Sequence, residues 1–294
     1  MIRGLKGIFG ANRAVFWLLA SLAIPVGAAP QSATITSLDG TLIQALIFLP
    51  ALAADERPRA TVVALHGCGG LYVTRGARRG QLSARSQSMA DLLVSERYAV
   101  VFPDSLGARG EIEICTQKIG SRRIDQTQRR ADALATLAWV ASQPWADAKR
   151  IALLGWSHGG SAVLSATDAS RADVQNAVVQ PALAVGFYPG CSAALKSGYR
   201  AGVPLVLMLG EKDDWTPPAP CLALGRAVGA EVNVYADSYH DFDNPAGEVT
   251  WRRDVPNGMQ PGEGVHAGRN PAAREASYAR LLALLAGMSR PFGK

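Results

Sequence analysis

Ser157 lies two residues after Gly155 and two before Gly159, in a five-residue segment that directly follows the apolar run 151–154. A strand that reverses into a helix within three residues needs small side chains at these two positions. The pattern G-x-S-x-G is typical of a nucleophile elbow, whose strained turn exposes the serine at the carboxyl end of a sheet. Two glycines and a serine also occur in ordinary turns, but the apolar run before them and the small residues after them favour the elbow.

A serine hydroxyl is a weak nucleophile at neutral pH, so it needs a base that is itself oriented by a third group. The chain has four histidines. His240 follows the last predicted strand, in a loop that can return over the sheet to Ser157, and we expect it to be the base, ahead of His266. His66 lies in a turn before the elbow strand, and His158 is next to the serine itself. A single histidine in a loop is otherwise an ordinary solvated residue.

The third group is expected just after the predicted strand Leu205–Leu209, where Asp213 and Asp214 are adjacent. An acid at this place gives the order Ser, Asp, His that α/β-hydrolases have. We predict Asp213 as the acid and keep Asp214 as the second choice, whose alternative role is to cap the following helix. The carboxylate would hold the imidazole tautomer and stabilise the imidazolium, and its loss can lower the rate by about 10⁴.

Two backbone N–H groups are needed to bind an oxyanion. One is expected from His158, at the start of the helix after the elbow, where the helix dipole also favours negative charge. The other is expected from Cys68, in the glycine-rich turn 65–70 that follows an inner strand. A flexible glycine turn is the alternative interpretation of that segment.

Other site chemistries are weaker in this sequence. The segment after the last predicted strand contains residue types that bind metals, but no companion cluster completes a site, so no metal is predicted: Asp237, His240, Asp241 and Asp243. The elbow lacks the lysine of a phosphate-binding loop, which argues against nucleotide binding. Trp156 and Trp215 adjoin the nucleophile and the acid, where they either line an acyl pocket or belong to the core.

The elements that must position these residues alternate between buried strands and amphipathic helices. Asp39-Gly40 predicts an opening hairpin. The remaining predicted strands are 61–65, 98–102 (stopped by Pro103), 151–154, 183–187, 205–209 and 231–235, and the predicted helices are 83–96, 125–142, 221–228 and a C-terminal helix after Pro271 through Leu285. This pattern predicts an α/β fold with a mostly parallel, doubly wound sheet flanked by helices. Reactive groups of such sheets gather at the carboxyl ends of the strands.

The 294 residues, 48% of them hydrophobic and 18% charged, are enough for one large domain. The N-terminus has three basic residues, then an apolar stretch from Ala14 to Val26, then small residues before Pro30. This order predicts a secretory signal peptide over residues 1–28, cleaved near Ala28 or Ala29. A retained anchor is the alternative, but the stretch is shorter than the roughly 20 residues that span a bilayer. The mature domain, residues 29–294, is therefore expected to be secreted or periplasmic, with no membrane span.

The formal net charge of +6 falls to +3 without the signal peptide, because three basic and no acidic residues lie within the first 28. Eight of the remaining arginines are scattered without interleaved aromatic residues, and we interpret them as solvated residues on surface helices rather than a nucleic-acid surface: Arg75, Arg78, Arg79, Arg85, Arg122, Arg123, Arg129 and Arg130.

As an ordered set, the motifs of this chain resemble those of the dienelactone hydrolase family of α/β-hydrolases. The resemblance extends from about Ser32 to the C-terminal helix and rests on 66–70 (HGCGG), 103–105 (PDS) with Arg109-Gly110, 155–160 (GWSHGG), 213–217 (DDWTP) and 239–243 (YHDFD). It implies hydrolysis of a small-molecule carboxylic ester or lactone through an acyl-enzyme, without metal or organic cofactor. The founding members carry a cysteine nucleophile where this chain has Ser157. We therefore expect a general esterase activity rather than activity on dienelactone itself.

An even number of cysteines in an exported chain suggests disulfides, and four cysteines allow three connectivities. In the fold that the resemblance implies, Cys68 and Cys115 follow neighbouring strands, and so do Cys191 and Cys221. We therefore expect the pairs Cys68 with Cys115 and Cys191 with Cys221.

Two other functions remain open. A serine peptidase can use the same triad and fold, although no additional propeller or cap domain is predicted. A non-catalytic binding protein on a hydrolase scaffold is the alternative from a different class, but such proteins usually lose a member of the triad. Substrate selection is expected to depend on the loops 107–124 and 244–270, and the sequence does not determine the oligomeric state.

Overall fold

The structure, a computed structural model, describes residues 1–2, 29–51 and 59–288. The predicted signal peptide, except for its first two residues and its border, lies outside the described residues, so it and the boundary of the mature domain remain predictions. No helix in the described part of the chain is long and apolar enough to cross a membrane.

Within the described residues, eight strands form one sheet in the order β1-β2-β4-β3-β5-β6-β7-β8. The strands are β1 (Gln31–Thr36), β2 (Leu42–Phe48), β3 (Arg59–Leu65), β4 (Ala99–Asp104), β5 (Ala146–Trp156), β6 (Leu183–Phe187), β7 (Leu205–Gly210) and β8 (Glu231–Tyr235). The pairs β1–β2 and β2–β4 are antiparallel, and every other pair in the sheet is parallel. The predicted doubly wound α/β fold is confirmed.

Helices cover both faces of the sheet because the side chains of each inner strand alternate between two apolar cores. In β3, Val63 and Leu65 belong to one core, and Val62 and Ala64 belong to the other. The helices are α1 (Ala84–Ser95), α2 (Gln126–Ala141), α3 (His158–Ala166), α4 (Ala172–Gln175), α5 (Ser192–Lys196), α6 (Pro218–Val228) and α7 (Pro271–Gly287). The first core contains residues of α2, α3 and α6, and the second contains residues of α1 and α7.

The prediction that Pro103 stops the fourth strand is wrong. Strand β4 continues to Asp104, because Pro103 pairs with Ala45 of β2 and Asp104 pairs with Gln44. On its other side, β4 pairs with β3 only as far as Val101. The ladder on that side has therefore ended before the proline, whose missing N–H is tolerated where no partner strand needs it.

The two long loops after β4 and β8 pack together above the carboxyl edge of the sheet. Short strands β9 (Thr250–Arg252) and β10 (Val265–Ala267), which the sequence pattern did not predict, pair within the second loop. Asn257 joins the loops, because its side chain accepts from the N–H of Ile119 at 2.9 Å and donates to the carbonyl of Gln117 at 2.9 Å. A third apolar cluster that includes Ile114, Val255 and Val265 lies between them.

Two disulfides join Cys68 to Cys115 and Cys191 to Cys221, and these are the pairs expected above. Their Cα atoms are 4.9 and 5.0 Å apart. The first bridge ties the turn after β3 to the loop after β4. Two structural disulfides indicate an oxidising compartment.

We predict that the double variant Cys191→Ser with Cys221→Ser loses about 3 kcal/mol of unfolding free energy, because the bridge closes a loop in the unfolded chain. Guanidinium denaturation followed by circular dichroism measures the loss. As a control, the wild-type protein is denatured in the presence of dithiothreitol, which reduces both disulfides. Its stability should then approach that of a variant without either bridge. A double variant as stable as the oxidised wild type would contradict the prediction.

Candidate active site

Ser157 lies at the junction of β5 and α3, with backbone angles of φ 54° and ψ −117°. Positive φ is strained for a residue other than glycine and is seen at functional turns. The neighbouring glycines are required by space: a Cβ on Gly159 would collide with the carbonyl oxygens of Leu65 and His66, and one on Gly155 would collide with the carbonyl of Gly159. The predicted elbow is therefore the geometry that the structure has.

His240 reaches Ser157 from the loop after β8. Its Nε2 is 2.8 Å from the Ser157 Oγ, and its Nδ1 is 2.8 Å from Oδ2 of Asp213. A carboxylate oxygen accepts hydrogen bonds, so Nδ1 donates to Asp213 and Nε2 is left to accept from the Ser157 hydroxyl. All three side chains are buried, and the Ser157 hydroxyl is thus in contact with an imidazole of defined tautomer.

Asp213 follows β7 and is held by the turn that it begins. Its Oδ1 accepts from the N–H groups of Trp215 and Thr216 at 2.9 and 2.8 Å. The Thr216 hydroxyl lies 2.9 Å from Oδ2 and 2.9 Å from the carbonyl of Tyr188. These contacts hold the carboxylate at hydrogen-bond distance from His240.

Asp214, the second choice for the acid, faces away from His240 and pairs with His266. Its Oδ2 is 2.7 Å from Nδ1 of His266, and its Oδ1 accepts from the backbone N–H of the same residue at 2.8 Å. Trp251 of β9 stacks on the imidazole, with ring centroids 5.7 Å apart. Asp214 and His266, the less favoured candidates for acid and base, thus contact each other. Their contact stabilises the loop that carries β9 and β10.

The other two histidines lie on either side of the elbow, and within the described residues no hydrogen bond joins their rings to Ser157. His66 is fully buried, and burial, together with the nearby charge of Arg129, lowers its pKa well below the usual value. Burial and the same guanidinium lower the pKa of His158. Both imidazoles are therefore neutral at physiological pH.

The backbone N–H groups of Cys68 and His158 have no backbone acceptor in the described residues. His158 is the first residue of α3, where N–H groups have no acceptor inside the helix. The turn of Cys68 comes close to Ser157, because a Cβ on Gly67 would lie 3.6 Å from the Cβ of Ser157. The two predicted oxyanion donors thus come from segments that meet at the serine.

Two aromatic rings enclose His240. The centroids of Tyr188 and Trp215 both lie 4.6 Å from the centroid of its imidazole. Trp215 lines the cavity above Ser157, whereas Trp156 is buried in the core on the side of α1 and α7. Of the two tryptophans considered from the sequence, only Trp215 is in a position to touch a substrate.

The buried carboxylate of Asp243 anchors the loop that carries His240. This role was not predicted from the sequence. Trp156 Nε1 donates to Asp243 at 2.7 Å, and the hydroxyls of Tyr188 and Tyr278 also donate to it. Arg85 of α1 completes the set, with Nε 3.2 Å from Asp243. Burial raises the pKa of the Tyr188 hydroxyl well above the usual value, which keeps it protonated as a donor.

The same arginine also pairs with Asp241, whose Oδ1 is 2.6 Å from Nη2 of Arg85. Burial by itself would raise the pKa of Asp241, but the guanidinium holds it below the usual value. Asp237, the remaining acid of this segment, pairs with Lys212 at 2.6 Å. The described residues contain no group of three or more histidine, cysteine and acidic side chains arranged to hold a metal.

The interpretation of the arginines as solvated residues is wrong for three of them. Arg129 and Arg130 are buried, and only 13% of the Arg85 side chain is exposed. Each has partners that the sequence spacing does not show, such as Asp173, 2.6 Å from Nε of Arg130. Arg75, Arg78 and Arg79 are exposed, as expected.

A cavity of about 300 Å³ opens above Ser157 and His240. Its lining includes Cys68 and Trp215 and three arginines: Arg78, Arg85 and Arg252. Arg85 and Arg252 have carboxylate partners, since Arg252 Nε lies 2.8 Å from Asp254. A volume of about 300 Å³ lies within the range of small-molecule sites in proteins.

The chain was compared with known proteins and solved structures. A provisionally described dienelactone hydrolase from Klebsiella pneumoniae has a similar structure, with a TM-score of 0.63, 18% identity, and coverage of 88% of this chain and 99% of that one. Esterase 2 of Thermogutta terrifontis, phosphonylated by cyclosarin, has a TM-score of 0.63 and 15% identity over 91% and 97% of the two chains. A puromycin-hydrolysing peptidase from Mycobacterium tuberculosis reaches 0.53 and 17% over 72% and 36%. At these identities the structural neighbours establish the fold alone.

No curated protein sequence matches the chain significantly. The pattern that defines the dienelactone hydrolase family, in contrast, matches residues 51–289, which include Cys68, Ser157, Asp213 and His240. The match covers most of the chain. This protein belongs to the dienelactone hydrolase family, a family of hydrolases with the α/β-hydrolase fold.

Proposed function

We propose that this protein is a serine hydrolase that cleaves carboxylic esters or lactones through an acyl-enzyme. The observation that carries the proposal is the continuous relay from Ser157 through His240 to Asp213, with both contacts at 2.8 Å. The base is thereby within hydrogen-bond reach of both the nucleophile and the orienting acid, as covalent catalysis by serine requires.

In the first half of the reaction, Ser157 Oγ attacks the ester carbonyl carbon while His240 Nε2 takes the hydroxyl proton. Asp213 stabilises the imidazolium and does not itself take the proton. The carbonyl oxygen becomes an anion and receives hydrogen bonds from the amides of Cys68 and His158. When the tetrahedral intermediate collapses, the bond to the alkoxy oxygen breaks, and His240 returns its proton to the leaving alcohol.

In the second half, a water molecule attacks the acyl-enzyme and gives a proton to His240. Collapse of the second intermediate breaks the bond to Ser157 Oγ, the hydroxyl regains its proton, and the carboxylic acid leaves. In a lactone, the alcohol and the acid belong to one molecule, so the first step opens the ring. The same residues serve both cases.

Ser157 stands where the founding members of the family carry a cysteine. A thiol forms a nucleophilic thiolate more readily than a hydroxyl forms an alkoxide, so the serine depends more strongly on its base. The short contact between Ser157 and His240 meets that requirement. All four cysteines of the chain are engaged in disulfides, which leaves no thiol in the described residues to replace the serine.

The disulfides also support the predicted export of the mature domain. Both bridges would be reduced in a typical cytosol, whereas they persist in the periplasm or outside the cell. Together with the N-terminal sequence, this favours a secreted or periplasmic hydrolase.

The loops that carry Cys115, β9 and β10 cover the edge of the sheet beside the cavity, and we infer that they select the substrate.

We predict that Ser157→Ala lowers kcat for p-nitrophenyl butyrate by about 10⁴ or more, because the covalent step is removed. The measurement is steady-state release of p-nitrophenol by the purified protein. Ser161→Ala is the matched control, since that hydroxyl lies one turn further along α3 and contacts backbone carbonyls. Full turnover by Ser157→Ala would refute the proposed nucleophile.

The acid is tested by comparing Asp213→Asn with Asp214→Asn. We expect the first variant to lose about 10³ to 10⁴ in kcat, because an amide that donates to Nδ1 favours the wrong tautomer of His240. The second should remain within about tenfold of the wild type, because it changes only the pair with His266. The same ester assay measures both, and the reverse order of the two losses would assign the role to Asp214.

A further inference from the structure

Arg129 is a fully buried cation on the first turn of α2. Within the described residues it has no carboxylate at ion-pair distance, whereas its neighbour Arg130 pairs with Asp173. Burial lowers the pKa of Arg129 to about 10, so it remains charged at neutral pH. Burying a guanidinium without an ion pair is unfavourable for folding, which makes its contacts worth examining.

The guanidinium touches both segments that carry the proposed oxyanion donors. Its Nη2 donates to the carbonyl of His66 at 2.8 Å, and its Nη1 lies 3.4 Å from Nδ1 of His158. Gln126, on the same turn of α2, lies 3.3 Å from the carbonyl of His158. The start of α2 thus holds the turn after β3 and the start of α3 side by side.

The side chain of His66 contacts the peptide unit that contains the Cys68 N–H, the first proposed oxyanion donor. Its Nδ1 is 2.8 Å from the carbonyl oxygen of Gly67. A carbonyl only accepts, so Nδ1 bears the proton. The Gly67 carbonyl belongs to the same peptide plane as the N–H of Cys68, and fixing one end of a rigid peptide unit aims the other. A rotation of this turn would therefore turn the Cys68 N–H away from the oxyanion.

We propose that Arg129 is a positioning residue of the oxyanion hole, which keeps the Cys68 and His158 amides in register through the His66 carbonyl and the His158 side chain. This role rests on the proposed function, because it presumes a tetrahedral intermediate on Ser157. A residue that acts in this way affects the transition state more than the bound ester, since the anion forms only after attack.

The test compares Arg129→Met with Arg130→Met, which removes the neighbouring buried arginine but not a contact to the elbow turn. For each variant, kcat and KM are measured with p-nitrophenyl butyrate, and inhibition is measured with butylboronic acid, which forms a tetrahedral adduct with serine. For Arg129→Met we expect kcat to fall about 10- to 100-fold, with KM within about threefold, and the inhibition constant to rise in parallel with the loss of kcat. Arg130→Met should change both within about threefold.

A folded Arg129→Met variant with wild-type kcat and boronate affinity would overturn the role, and so would an equal loss in Arg130→Met. Arg129→Lys covers the case in which the methionine variant does not fold. It keeps the charge but loses the planar pair of donors, so we expect about a three- to tenfold fall in kcat. Wild-type kcat in that variant would also overturn the role.

The wild-type protein separates this inference from the proposed function. If it neither hydrolyses the ester nor binds the boronate, then the proposed function fails. If it does both, and the Arg129 variants match it, then only the role of Arg129 fails.

Discussion

The structure depends on a close approach between two backbone turns, the elbow after β5 and the glycine-rich turn after β3. Gly159 packs against the carbonyls of Leu65 and His66 so closely that even a methyl group would not fit. This approach brings the amide of Cys68 beside Ser157, and it requires β3 and β5 to be neighbours in the sheet, as they are. The neighbouring strands β3 and β5, the small glycines and the strained backbone of Ser157 are therefore all needed for the two turns to approach each other.

Two buried carboxylates hold His240 in place around that point, and each is neutralised differently. Asp213 is held by backbone N–H groups and by the imidazole that it orients. Asp243 is held by Arg85 and by indole and phenol donors, one of which, Tyr188, also packs against the imidazole. Because an unpaired buried charge is strongly unfavourable, both sets of partners also stabilise the loop on which His240 lies.

The sequence was informative where function depends on local spacing. The elbow, Asp213 and His240 follow predicted strands, so their meeting at one edge of the sheet follows from the topology. The roles of Arg129 and of Arg85 with Asp243 could not be predicted, because their partners are distant in sequence and a surface arginine has the same local pattern as a buried one. Strands β9 and β10 were missed because three residues are too few to show an alternating pattern. Pro103 was misjudged because the sequence does not reveal where a neighbouring strand stops pairing.

The central claim is that Ser157 is a nucleophile activated by His240, and covalent labelling tests it most directly. The purified protein is treated with a fluorophosphonate probe, and the modified residue is located by peptide mass spectrometry in the wild type, in Ser157→Ala and in His240→Ala. The account predicts rapid, stoichiometric modification of Ser157 in the wild type, none at that position in Ser157→Ala, and labelling slowed by orders of magnitude in His240→Ala. An unlabelled wild type, modification at another residue, or equal rates in wild type and His240→Ala would contradict it.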